Sequence, residues 1–176
     1  MNTQVKIEQI TIETLFGTEV VTTPFKPIKF KQIRAVYEIL EVKEDLSAYL
    51  PPDRRYTSPE QISQIFSFLT TESKEYFFTL HLDGKNRILC LDGVSVGSLN
   101  QSIVHPREVF KTALLSSAAG IILVHNHPTG DPSPSSEDIT ITRRLKEAGE
   151  LLGIKVLDHV IVGDGEYISF VERGLV

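Results

Sequence analysis

Two histidines, His125 and His127, stand two residues apart at the end of the apolar run Ile121-Ile122-Leu123-Val124. On a strand, residues i and i+2 project from the same face, so both imidazoles can reach one ion. A loop carrying Pro128, Pro132 and Pro134 then brings the chain to Asp138, in the first turn of an expected helix. Two imidazoles and a carboxylate are three donors, and the fourth tetrahedral position is left for water. That is the arrangement of a catalytic zinc site with one ion per chain, not of a closed structural one. Each residue also has a plainer reading. His-x-His pairs occur by chance, and the prolines can simply stiffen a loop. Ser135-Ser136-Glu137-Asp138 is also how a helix begins, with Ser135 as cap and Asp138 near the positive helix end. A first-turn carboxylate can do both.

The rest of the composition narrows the chemistry. Cys90 is the only cysteine, which excludes an internal disulfide and a thiolate zinc cage. Within RILCLDGV it reads as a small buried hydrophobe. The chain has 176 residues, with 41% hydrophobic and 23% charged residues, ordinary values for a globular protein with one proper core. No apolar run approaches the roughly 20 residues that span a bilayer. The N-terminus lacks a signal-peptide core, so a cytoplasmic protein without membrane partners is expected. The net charge is −5 and the basic residues are scattered, so DNA is a possible partner but not a favoured one.

The elements that must hold the histidines and the aspartate are readable from periodicity. The first fifty residues alternate enough for a small β-rich extension, with strands expected in VKIEQITIET and FKPIKFKQIRAVYEIL. The paired prolines Pro51 and Pro52 mark a boundary, giving residues 1–52 as an extension of unassigned role and 53–176 as the chemical domain. Ser58-Pro59-Glu60-Gln61 starts a helix with Ile62, Ile65, Phe66 and Leu69 inward. EYFFTLHLD and RILCLDGVSVG form two strands around a turn at Asp83-Gly84-Lys85-Asn86. Pro106 opens a second helix with Val109, Phe110, Ala113 and Leu114 inward, broken by Gly120. The run IILV fits a fully buried strand. A third helix spans Ser136 to Leu152, with Ile139, Thr142, Leu145, Ala148 and Leu152 on one face and Gly153 as its stop. IKVLDHVIV and EYISFVERG finish the chain as a strand pair around Gly163-Asp164-Gly165. Strands alternating with helices give an α/β class with a mixed sheet.

HNHPTGDPSPSSED resembles the HxH…SxxD signature of the JAMM (MPN+ or JAB) metalloprotease domain. VHPREVFKTAL, AAGIILVHNHPTGDPSPSSED and LLGIKVLDHVIVGDGEYISF are similar to its RadC-like branch, over roughly residues 56 to 174. The resemblance implies a cytidine-deaminase-like, MPN-type mixed sheet flanked by helices. It implies zinc on His125, His127 and Asp138, with a peptide or protein as substrate and hydrolysis of a peptide or isopeptide bond. It also implies two catalytic residues. Glu75 matches the family's upstream glutamate, the general base that takes a proton from the activated water. Glu72 and Glu108 are rivals for that role, and a solvated Glu75 at a strand edge is its plainer reading. Ser135 matches the hydroxyl that donates to the developing oxyanion, in competition with its role as helix cap. Asp158-His159 matches a DH pair whose members point to opposite faces of a strand, which places His159 in the core or behind the ligands. Thr129 stands where the branch more often has serine. The first fifty residues show no helix-hairpin-helix-like segment of the kind longer relatives carry, which weakens the alternative of a DNA-repair or recombination accessory protein. A third possibility is that the extension docks a partner and the metal domain is a scaffold.

Overall fold

A computed structural model describes residues 31, 36–39, 49–97 and 104–175. The strands expected in the N-terminal extension lie outside these, apart from a few positions without regular structure. Five strands form one mixed sheet in the order β2-β1-β3-β4-β5. They are β1 (Glu75–Leu82), β2 (Ile88–Gly97), β3 (Gly120–Asn126), β4 (Lys155–Val162) and β5 (Tyr167–Ser169). Strand β1 runs antiparallel to both β2 and β3, β3 and β4 are parallel, and β5 returns antiparallel on β4. The parallel pair is joined by the long helix α3 (Ser136–Leu152), as such a crossover requires. This is a mixed α/β fold of the MPN type. Among the described residues no helix is long and apolar enough to cross a membrane.

Both faces of the sheet are covered, which explains why all seven residues of β3 are buried. On one face Phe77, Ile121 and Leu123 pack against Val109, Phe110 and Ala113 of α2 (Pro106–Leu115) and Ile141 and Leu145 of α3. On the other, Leu80, Ile122, Val124, Val160 and Val162 pack against Ile62 of α1 (Pro59–Ile65) and against Phe66 and Leu69. Alternation along β3 therefore sends His125 toward the α2/α3 face.

Several local expectations are corrected. The first helix ends at Ile65 and continues as a 3₁₀ turn over Ser67–Thr71, leaving Ile65 only half-buried. The Gln61 side chain accepts from Thr57 N–H and not from the cap residue, while its amide donates to the carbonyls of Tyr49 and Arg55. Helix α2 stops at Leu115, before Gly120, with Ser117 in the left-handed region; Leu114 is exposed. Gly120 begins β3, where a Cβ would press on the Leu157 side chain. Helix α3 has the expected ends, but its inward stripe is Asp138, Ile141, Thr142, Leu145 and Gly149. Ile139 and Ala148 are half-buried and Leu152 is exposed. The helix is turned so that Asp138 faces inward and Gly149 admits the Phe110 ring. Strand β5 is only three residues long, because Asp158 accepts from Ser169 Oγ and Val171 N–H and bends the chain away. Cys90 is half-buried, not a core hydrophobe, with Sγ 3.3 Å from Nδ1 of the cross-strand His81.

Candidate metal centre

The end of β3 and the start of α3 meet at one point. His125 is the last β3 residue paired with β1, opposite Phe77, and is fully buried. His127 lies two residues on, just past the strand, with its side chain 14% exposed. Asp138 occupies the first turn of α3 and is also buried. Ser135 caps that helix. Its hydroxyl accepts from Asp138 N–H at 3.1 Å, and its own N–H donates to Asp138 Oδ2 at 2.8 Å, a reciprocal capping box.

The donor atoms of His125, His127 and Asp138 lie within 4.8 Å of one another, a group able to hold a metal ion. His125 Nε2 is 3.0 Å from His127 Nε2 and 3.3 Å from Asp138 Oδ1, and His127 Nε2 is 3.4 Å from Asp138 Oδ2. Ligands about 2.0–2.2 Å from a tetrahedral ion stand about 3.3–3.6 Å from each other. His125 Nε2 reaches that range to Oδ1 and His127 Nε2 reaches it to the other carboxylate oxygen, Oδ2, while the His–His separation is slightly tighter. The ring orientation agrees. His127 Nδ1 is 2.7 Å from the Asp131 carbonyl, which can only accept, so Nδ1 carries a hydrogen and Nε2 faces the cluster. Asp138 Oδ2 accepts from the Ser135 hydroxyl (2.6 Å) and N–H, leaving Oδ1 as the less committed oxygen. The three residues together could hold a metal ion.

Electrostatics follow from burial and mutual contact. Burial by itself would raise the Asp138 carboxyl, but the His125 and His127 rings beside it and the Ser135 hydroxyl outweigh it and hold the group well below the usual range, hence ionised. Burial lowers His125, with Asp138 opposing, so its ring is neutral. His127 is raised chiefly by its bond to Asp138, against a smaller effect of burial. Behind the cluster the buried His159 is pushed well below its ordinary value by burial, and its Nε2 lies 2.7 Å from His125 Nδ1.

Glu75 begins β1 on the same face as Phe77, and continuing the β1–β3 register would set it opposite His127. Its charge favours the protonated form of both site histidines. It also lines an open cavity of about 360 Å³, with Ser73, Lys74, Val96, Gly97 and Pro128. The rivals point elsewhere. Glu108 pairs with Lys111 Nζ at 2.7 Å and Arg107 Nε at 3.3 Å on the surface of α2. Glu72 acts on Tyr76, whose ring packs on the α1 face of the sheet. Asp158 and His159 face opposite ways as expected, with Asp158 toward Ser169 and the C-terminal turn.

Three contributors were not visible in the sequence. Asn126, between the two histidines, accepts from Tyr76 N–H (2.8 Å) and donates to the Lys74 carbonyl (3.0 Å), clamping the backbone on both sides of Glu75. Asp131 acts through its carbonyl, which no side-chain pattern encodes. Thr142, one turn after Asp138, shows in the sequence only as a position on the inward stripe of a helix.

A family model described as RadC-like JAB domain matches residues 56–175. The chain belongs to that family. It is 67% identical over 122 residues to a UPF0758 protein of Pelobacter propionicus, covering 69% of this chain and 53% of that protein. A UPF0758 protein of Geotalea uraniireducens gives the same identity, with 69% and 54% covered. One from Methanosarcina mazei is 51% identical over 149 residues, covering 84% and 64%. The chain thus spans about half the length of the first of these relatives, and their shared name states no activity.

Proposed function

We propose that this RadC-like JAB domain is a zinc-dependent hydrolase of amide bonds, a metallopeptidase or isopeptidase acting on a peptide or protein. The observation that carries the reading is the convergence of His125, His127 and Asp138 on one point, beside a groove lined by Glu75. His125, His127 and Asp138 would hold the zinc. When bound, zinc supplies a Lewis acid that brings the pKa of water near 7 and polarises a carbonyl.

The chain's own residues account for the remaining steps. Glu75 accepts the proton that water loses and passes it to the departing amine, and a general base of this kind is worth about 10²–10⁴ in rate. The groove lined by Val96, Gly97 and Pro128 receives the substrate beside that carboxylate. Ser135 donates to the oxyanion once its hydroxyl turns from Asp138 Oδ2; its N–H can keep that oxygen paired. The net charge of −5 lends no support to a DNA-binding reading. The test is a proteome-wide cleavage comparison of wild type with Glu75→Gln, which should retain zinc and lose cleavage. Identical cleavage by the two proteins would exclude Glu75 as the base.

A further inference from the structure

Behind the three donors runs a chain of hydrogen bonds that returns to its starting point. His125 Nδ1 lies 2.7 Å from His159 Nε2, His159 Nδ1 lies 2.6 Å from Thr142 Oγ1, and Thr142 Oγ1 lies 2.5 Å from the backbone carbonyl of Asp138. Both imidazoles and Thr142 are fully buried, with the His159 ring between Phe77 and Phe170. Water therefore does not supply substitute partners, and each proton must be placed by the groups themselves.

Only one placement satisfies every member. A carbonyl oxygen cannot donate, so the 2.5 Å contact commits the single Thr142 hydrogen to Asp138. The Thr142 oxygen can then only accept from His159 Nδ1–H. The His159 ring is fully buried and its hydrogen-bond partners are an imidazole and a hydroxyl, so it is neutral, because burying an unpaired charge there is costly. Its Nε2 therefore carries a lone pair, and His125 must donate Nδ1–H to it. What remains on His125 is an Nε2 lone pair aimed at His127 and Asp138.

We infer that Thr142 and His159 are positioning residues of the metal centre. They lock His125 in the Nδ1–H tautomer and tie it, through the Asp138 backbone, to a second ligand on a different element. A metal-ligating histidine ordinarily gives its second N–H to a carboxylate, a backbone carbonyl or water. Here a second imidazole and a hydroxyl carry the lock from β3 to the first turn of α3. The inference rests on the proposed zinc site, but its first readout needs no metal.

The experiment uses the full chain with ¹⁵N-labelled histidine. Long-range proton–nitrogen spectra of the metal-free wild type should show His125 protonated at Nδ1; protonation at Nε2 alone would overturn the inference without any variant. Thr142→Val removes the hydroxyl and should lose that signature. It should also bind zinc about 10- to 100-fold more weakly in competition with a chelator of known affinity. Thr142→Ser keeps the hydroxyl and should restore both. A Thr142→Val protein that keeps its fold, its Nδ1–H signal and wild-type zinc affinity would refute the lock. Failure of wild type to bind zinc at all would instead refute the zinc reading, and the tautomer measurement would still decide the lock.

Discussion

Gly163 lies in the turn after β4, yet its substitution by alanine should weaken the metal centre. Its backbone is not in the left-handed region, so alanine brings no conformational strain and the effect is steric. An added Cβ would stand 2.5 Å from the Gly130 carbonyl oxygen and 2.5 Å from Pro132 Cδ. The optimum for such contacts is about 3.5 Å, so the 130–132 loop must retreat by about 1 Å. Asp131 sits between those two residues, and its carbonyl orients His127 at 2.7 Å. A shift of about 1 Å is enough to break that bond, whose useful range ends near 3.2 Å. Overpacking should lower stability by about 1–3 kcal/mol. Loss of an orienting partner should lower zinc affinity about 10- to 100-fold. Thermal melting and chelator competition measure the two separately. Gly165→Ala is the control. Its φ of +73° makes alanine cost about 1–2 kcal/mol, but open space surrounds the site, so zinc affinity should hold. Unchanged zinc affinity in a destabilised Gly163→Ala protein would refute the coupling between this turn and His127.

Two further perturbations separate stability from chemistry. Ser135→Ala should cost about 1 kcal/mol through the lost cap and, once a substrate is found, about 100-fold or more in turnover; Ser135→Thr should recover most of the stability. A melting loss with turnover unchanged would leave Ser135 as a cap alone. Asp83 is held at about 2, first by the Arg87 N–H and then by Lys85 N–H and the Arg87 guanidinium. A depressed carboxyl contributes fully above its ordinary value of about 3.9 and loses that contribution as pH falls through 2. Melting curves of wild type and Asp83→Ala should therefore separate at neutral pH and converge near pH 2. A gap of constant size would remove the charge from the explanation.

Much of the fold was legible because single residues carried it. The unbroken run Ile121–Val124 declared a strand covered on both faces, and Ser135 with Gly153 marked both ends of α3. The face of α3 was not legible. Periodicity favoured Ile139 and Leu152, whereas the structure turns inward a charged residue, Asp138, and a residue without a side chain, Gly149. Neither counts as apolar in a pattern, and each is inward for a specific contact. The three ligand candidates were readable from spacing, and the face of His159 from alternation. Its partner Thr142 was not, since a threonine on an inward stripe looks like packing until a buried imidazole is found against it. Asn126 was hidden for a similar reason: its amide replaces a backbone rung, a role that has no sequence period.

The most direct measurement is a calorimetric titration of metal-depleted protein with zinc, repeated on His127→Ala. One zinc per chain in wild type, lost or strongly weakened in the variant, is the expected result. No binding by wild type, or an unchanged single site in His127→Ala, would contradict the assignment of His125, His127 and Asp138 as the metal centre.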